Sequence, residues 1–427
     1  MVGTNSLPPC RCATGGRAGD EGDSLPLCNG GRVRDGGHVT LELNKVIGQV
    51  DALASSTASA MTQAGELLDE ARGWLHKYAN RFEELKAKAA EFGTAIPTDE
   101  PLDATHPAPA MPERFTVIGA DGSAIPPDRH STALYYLINT ASLTYRHGSG
   151  QQPVAFSTPD LRYTTENLYE GRLLVQGNLL DVRRDTAEIA RLADAAEAEA
   201  EPRDVPLVAL TDGTLLLWVL EESPEELRRK KVADYVRHLD RLKKVGAAPG
   251  AFISRPRYPD VLRLVWLAQL GEHASRQAME DNPFLGLADR SLFDFLAPGQ
   301  RSAYFVSPSP VNRSYAEVGH SIGFFYVNVG DEGQTEIARV ETPEWVYQSP
   351  ALLDRLHGAI IGQCRLVTPY PYVLARAHEL AVITTDERRQ LESLVESSLL
   401  RHGLSSQPSQ KAQFKGLTSS AKRRYGQ

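Results

Sequence analysis

Two aspartates in this chain stand in nearly the same setting. Phe115-Thr116-Val117-Ile118-Gly119-Ala120 runs into Asp121-Gly122-Ser123, and Leu207-Val208-Ala209-Leu210-Thr211 runs into Asp212-Gly213-Thr214. A carboxylate delivered at the carboxyl end of a buried strand, with glycine beside it so that a ligand can approach the backbone, is where open α/β sheets put their chemistry. Two such carboxylates can share a divalent cation. Phosphodiester hydrolysis by metal ions uses several carboxylates around hard cations about 3.5–4 Å apart, and Mg²⁺ and Mn²⁺ prefer the oxygen ligands that Asp and Glu supply. A third carboxylate is available from Asp181, Asp185 or Glu188, whose spacings of four and three residues place them on one helical face. An isolated Asp-Gly-Ser is usually a plain turn. Two copies, each directly after an apolar strand, are what argue for a metal site.

A second cluster, Pro369-Tyr370-Pro371-Tyr372 through Arg376-Ala377-His378-Glu379, passes from a proline-stiffened segment into a helical pattern. Arg376 and Tyr370 suit phosphate orientation, although a helical histidine such as His378 is more often a hydrogen-bonded core residue than a catalytic one. Other chemistries leave no trace. There is no Gly-x-x-x-x-Gly-Lys loop, dinucleotide fingerprint, Gly-x-Ser-x-Gly elbow or His-Glu-x-x-His. ATP hydrolysis is therefore not expected.

The elements that must position these residues follow from hydrophobic periodicity. From Leu41 to about Phe92 the pattern is helical, with Ala64, Leu68, Ala71, Leu75, Tyr78, Phe82 and Leu85 recurring on one face that docks on a core or a second subunit. Five prolines between Ile96 and Pro112 mark a linker. After the Asp121 strand, residues 132–146 and 153–156 read as antiparallel strands around a glycine turn, and residues 167–201 as a long helix leading into the Asp212 strand. Strand, hairpin, helix, strand is the order of a ribonuclease-H-like core. Ser223-Pro224-Glu225-Glu226 reads as a helix start with a Ser cap, Pro at the first position and a capping-box Glu. Lys230, Arg237, Arg241 and Lys244 share one face of that helix, better read as a solvated surface than as a phosphate-contacting patch, with Val232, Tyr235, Val236, Leu239 and Leu242 opposite. Further strands are expected at residues 302–306 and 322–329.

The remaining features bound the class. A chain of 427 residues with a formal net charge of −8 has no global attraction for nucleic acid, so any such binding needs local basic patches. The longest apolar stretch, Leu215 to Leu220, is too short to span a bilayer, and no signal-peptide pattern opens the chain, so a cytoplasmic location is expected. Cys10, Cys12, Cys28 and Cys364 fit neither a zinc knuckle nor a disulfide framework. Residues 1–38 are a Gly-rich leader expected to be disordered or to reflect a misassigned start, and residues 405–427 a basic flexible tail.

Ala120-Asp121-Gly122-Ser123, Leu210-Thr211-Asp212-Gly213-Thr214, Pro298-Gly299-Gln300-Arg301-Ser302-Ala303, Phe324-Phe325-Tyr326-Val327-Asn328 and Tyr370-Pro371-Tyr372 through His378-Glu379 stand in one order. Together they resemble the NurA family of DNA-end-processing nucleases, across roughly residues 110–415. The resemblance implies an α/β fold with a ribonuclease-H-like mixed sheet flanked by helices, residues 113–404 forming the nuclease domain behind an N-terminal helical segment at 39–95 and the linker at 96–112. It also implies a homodimer enclosing a DNA channel, manganese or magnesium at the site, and a hexameric HerA-type ATPase as partner in resecting DNA ends. By motif, Asp121 and Asp212 become metal ligands, and Tyr370 and His378 active-site residues that position the phosphate or a metal. Glu188 is the third ligand because Arg184-x-x-x-Glu188 resembles the family's Arg/Glu helix, with Asp185 in reserve. Thr214 stands where serine is commoner, which keeps the hydroxyl.

The expected activity is thus a metal-dependent single-strand endonuclease and 5′-to-3′ exonuclease. The competing class is a non-catalytic scaffold that docks on the ATPase ring and guides DNA, favoured if Asp121, Glu188 and Asp212 do not converge. A phosphoester hydrolase of small substrates is a third possibility.

Overall fold

The computed structural model describes residues 43–404 except 130, 202–204 and 368; the Gly-rich leader and the basic tail lie outside the described residues. The chain divides after Ala58. Before the division, the described residues are the 3₁₀ turn Leu43–Lys45 and the opening of a helix that spans Ile47–Lys77. The larger unit begins at Ser59 and holds every other described element.

A mixed sheet organises this unit. Its long strands are β1 (Phe115–Ile125), β2 (Tyr136–His147), β3 (Val154–Arg162), β4 (Leu207–Asp212), β5 (Ala248–Ile253), β6 (Ile322–Asn328) and β7 (Ile337–Pro343). Across the sheet they run β6-β7-β5-β4-β1-β2-β3. The pairs β1–β2 and β2–β3 are antiparallel, while β1–β4 and β4–β5 are parallel. A meander of three strands joined through its first strand to two parallel ones is the ribonuclease-H-like core, and β7 and β6 extend it antiparallel. The β4 and β5 strands read Leu-Val-Ala-Leu-Thr and Ala-Pro-Gly-Ala-Phe, nearly continuous apolar runs, as strands covered on both faces require.

Two layers of helix cover the faces. On one face lie the acidic helix Asn178–Ala198 and the basic helix Glu225–Lys244, whose Val182, Ile189, Leu192, Val232 and Leu239 pack with Ile118, Ala120 and Ala209. Helices Pro350–Cys364 and Tyr372–Ala381 cover the other, packing Leu356, Ile360, Val373 and Leu374 against Val117, Val208 and Leu210. Each fully buried Val or Leu here stabilises by about 1.5–3 kcal/mol relative to exposure. A third cluster joins Ala71, Leu75 and Leu85 to helix Asp260–Leu270 and to Phe305, Phe324 and Tyr326. The apolar face expected along residues 64–85 thus docks on the chain's own core.

Several boundaries differ from expectation for identifiable reasons. Residues 96–112, read as a linker, instead supply two strands: Ile96–Pro97 pairs with Phe305–Val306, and Thr105–His106 with Arg301–Ser302. Proline at such short edges removes no central ladder bond. The strand expected at 302–306 is divided there in two. The helix expected at 167–201 begins only at Asn178, because residues 165–174 fold as a short helical turn, Thr165–Leu168, and a small hairpin. The basic helix has Pro224, not Ser223, at its cap position, and no side chain caps it. Its cations are largely paired, as a solvated face allows: Lys230 with Glu170 at 3.0 Å, Arg237 with Asp234 at 2.8 Å and Arg241 with Asp194 at 2.6 Å.

Candidate functional site

Strand parity decides which side chains meet. Phe115 and Val117 belong to the core layer of Val208, Leu210 and Val373, whereas Ile118 and Ala120 belong to that of Ala209, Val182 and Ile189. Side chains alternate faces along a strand, so Asp121 and Asp212 share the face that carries helix Tyr372–Ala381. Gly122 looks the other way, toward the acidic helix. Parallel pairing of β1 with β4 runs to Ala120 opposite Thr211, which leaves the two aspartates side by side one step further on.

Each aspartate has a partner on its own face. Asp121 Oδ2 lies 2.7 Å from His378 Nδ1, and its Oδ1 accepts the Gly122 backbone N–H at 2.8 Å. The Tyr370 hydroxyl donates to Asp212, and its ring packs edge-on against Phe252 with centroids 5.4 Å apart. Phe252 is the residue paired with Asp212 across β5.

Glu188 arrives from the opposite face. A Cβ on Gly122 would stand 2.9 Å from both Cγ and Oε1 of Glu188, closer than carbon packs, so the carboxylate reaches the strand ends only because that position has no side chain. Arg184, one turn earlier on the acidic helix, lies 3.3 Å from Asp181, 3.0 Å from Asp185 and 3.3 Å from Glu188.

The helix that carries His378 is tied at both ends. Ser123 Oγ donates to the Ala381 carbonyl at 2.5 Å, and Asn139 Nδ2 donates to the same oxygen at 3.0 Å. At the other end the Val373 N–H donates to Gln363 Oε1 at 3.0 Å. Buried carbonyls and N–H groups at helix ends need such partners, and here they also fix the histidine. The His378 side chain is 61% exposed and that of Asp121 13%, so the imidazole is available to a substrate while its carboxylate partner is enclosed.

Electrostatics follow from packing acids together. Burial pushes Glu188 well above its usual range, and the charges of Asp185 and Asp121 push it further. Asp185 is raised by burial against the opposing Arg184 charge. Asp212 is exposed at the end of β4, where it lines the cleft. Burial is again the first cause of its raised pKa, which the Tyr370 hydrogen bond opposes. Burial works against the Arg184 charge, yet Asp185 and Glu188 outweigh it and hold that guanidinium above its usual range.

A cleft of mutually raised carboxylates gains from a cation. The donors are oxygens, which fits Mg²⁺ or Mn²⁺ better than metals that favour sulfur and nitrogen. As the side chains stand, no group of three or more His, Cys, Asp or Glu among the described residues is gathered closely enough to hold a metal ion. Arg184 neutralises the helix side of the cleft instead.

Asp121, Asp185, Glu188, Asp212 and His378 all line one cleft, and Tyr370 joins it through Asp212. Arg376 does not take part; it pairs with Glu379 on its own helix. Asp121 differs in one respect from expectation. It sits within β1, which continues to Ile125 because Asp121, Gly122 and Ser123 pair with Ala141, Thr140 and Asn139 of β2. Tyr235, expected on the apolar face of its helix, also lines the cleft. Glu341, not among the expected site residues, accepts from Thr214 Oγ1 at 2.6 Å. The available signal is two opposite charges, Arg339 and Glu341, in a short, largely apolar strand.

A ribonuclease-H-like mixed sheet with an acidic cleft beside the end of its β1–β4 parallel pairing defines the α/β class of this protein. The chain matches the NurA domain model over residues 115–383, and it belongs to the NurA domain family. Among solved structures, the NurA nuclease from Sulfolobus solfataricus is 13% identical, with 79% of this chain and 97% of that chain covered at a TM-score of 0.43. A NurA bound to dAMP and manganese is 13% identical, with 82% of this chain and 96% of that chain covered at a TM-score of 0.35. Endonuclease V of Ciona intestinalis, in complex with a 24mer DNA containing an inosine followed by a ribo-adenosine, is 11% identical, with 74% and 99% covered at a TM-score of 0.29. No curated protein sequence matches the chain. Among the described residues no helix is long and apolar enough to cross a membrane.

Proposed function

We propose that the protein is a divalent-metal-dependent deoxyribonuclease. In this reading it is a single-strand endonuclease and 5′-to-3′ exonuclease that resects DNA ends for recombinational double-strand break repair. It acts as a cytoplasmic homodimer with a HerA-type hexameric ATPase; polarity, partner and dimer rest on the family likeness. The observation that carries the hydrolytic part is the meeting of Asp121, Glu188, Asp212 and His378 in one cleft, beside the point where the parallel pairing of β1 and β4 ends.

Asp121, Glu188 and Asp212 would hold Mn²⁺ or Mg²⁺. A cation bound there supplies Lewis-acid stabilisation of the charge that develops on the phosphoryl oxygens. The protein's own groups do the rest. Asp121 fixes the His378 ring, which orients the phosphate and can give a proton to the departing oxygen. Tyr370 keeps its proton, because burial and the Asp212 charge raise its pKa, and so remains a donor that holds Asp212 in place.

One observation favours the scaffold reading: the acidic side chains are not already gathered around a point. End-labelled single- and double-stranded DNA incubated with Mn²⁺, Mg²⁺ or EDTA separates the two. The nuclease reading expects cutting with metal and none with EDTA; absence of cutting under every condition, with the ATPase added, would leave the scaffold.

A further inference from the structure

Thr214 lies two residues after Asp212, where the chain leaves β4 through Gly213. Its hydroxyl is fully engaged. It donates to Glu341 Oε2 at 2.6 Å and accepts from the Leu216 N–H at 3.0 Å and from Trp218 Nε1 at 2.9 Å. The same Glu341 oxygen also takes the Leu215 N–H at 3.1 Å. One carboxylate oxygen therefore holds both the side chain of Thr214 and the backbone of the next residue.

Glu341 is itself held from behind. It is completely buried on β7, and its Oε1 lies 3.2 Å from Arg339 Nε. Arg339, also completely buried, reaches Asp260 Oδ2 at 2.9 Å and lies 3.5 Å from the Phe324 ring centroid and 4.4 Å from that of Tyr258. The register connects this assembly to the site: Glu341 pairs with Ala251, and Ala251 with Thr211, the residue before Asp212.

A buried ion pair seldom adds more stability than well-packed apolar residues would. Two apolar side chains on β7 would seal this layer as well as Arg339 and Glu341 do. What they would lack is a fixed acceptor for the loop after Asp212. We infer that Glu341, oriented by Arg339, is a positioning residue that acts through the Thr214 hydroxyl to hold Asp212 in its working orientation. This rests on the metal-nuclease reading of the cleft. Thr214 lines the cleft beside Asp212, and the relay fixes its loop as the outer hydrogen-bonding partners of metal sites fix their ligands.

Glu341→Gln is the obvious variant, but it leaves Arg339 with a single counter-charge and can fail to fold. Thr214→Val removes the hydroxyl at nearly constant shape, and Thr214→Ser keeps it. Mn²⁺ affinity by titration calorimetry, together with kcat and KM for DNA cleavage, should be measured on the full chain. Thr214→Val should weaken Mn²⁺ binding and lower kcat by about tenfold each with KM for DNA unchanged, and Thr214→Ser should stay within about twofold of wild type in both. Wild-type behaviour of Thr214→Val, or equal damage in Thr214→Ser, overturns the inference while the nuclease reading stands. A wild-type protein that neither binds Mn²⁺ nor cuts DNA overturns that reading, and the inference with it.

Discussion

Asp121-Gly122-Ser123 and Asp212-Gly213-Thr214 look like one device used twice, and they are built in opposite ways. The first stays extended inside β1, paired residue by residue with β2. Its glycine is required by a neighbour, because Glu188 occupies the space a Cβ would take. The second ends β4 and turns at once, with Gly213 at φ +83° and nothing within 4 Å of its Cβ position. Here glycine is required by the backbone. The hydroxyls diverge too: Ser123 ties down the helix that carries His378, and Thr214 ties the loop to buried Glu341. Similar tripeptides thus deliver two adjacent carboxylates while recruiting supports from different layers of the fold.

The comparison can be broken most forcefully at the carboxylates. Asp121→Asn and Asp212→Asn should each lower DNA cleavage by at least about 100-fold, since each removes charge where charge must be stabilised, at nearly constant volume. Thermal melting should show both variants folded. A large loss in only one of them would mean that the two aspartates are not a working pair.

The glycines sharpen the contrast. Gly122→Ala pushes on Cγ and Oε1 of buried Glu188, so cleavage should fall by roughly 10-fold or more. Gly213→Ala strains the backbone, so it should cost about 1 kcal/mol of stability, read as a lower urea midpoint. Similar stability losses and similar activity losses in the two variants would erase the distinction.

A smaller effect tests the acidity of the cleft. Burial and neighbouring charges raise Glu188 above its ordinary value of 4.5, so the folded state keeps a proton that the unfolded chain releases. The resulting stabilisation is complete below that value and is lost as pH rises through the elevated folded pKa. In EDTA, melting temperature should therefore fall more steeply with pH above the ordinary carboxylate range for wild type than for Glu188→Gln; identical slopes would refute the burial argument. The smallest effect belongs to Ser123→Ala. Asn139 still donates to the Ala381 carbonyl, so about 0.5–1 kcal/mol should be lost in denaturant unfolding.

Periodicity and the carboxylates that follow apolar runs made the core legible in the sequence: β1, β4, the hairpin and the two long covering helices stand near where apolar spacing puts them. The same spacing could not foresee that residues 96–112 join the sheet, because two-residue strands carry no period. In the cleft, Asp121, Asp212 and His378 were marked by local motifs. The choice between Asp185 and Glu188 was not, since both lie on one helical face and only the packing over Gly122 separates them. The charges of Arg339 and Glu341 stand out in the β7 sequence, but the role of Glu341 does not. Its role depends on three neighbouring strands in register, a relation that no stretch of sequence contains.

The central claim is that carboxylates from both faces of the sheet work as one hydrolytic site. The most direct measurement is single-turnover cleavage of a 5′-labelled DNA end in Mn²⁺ by wild type and Glu188→Gln, with DNA binding measured alongside. A loss of at least about 100-fold with DNA binding intact is the predicted result. Cleavage by Glu188→Gln at the wild-type rate would contradict it.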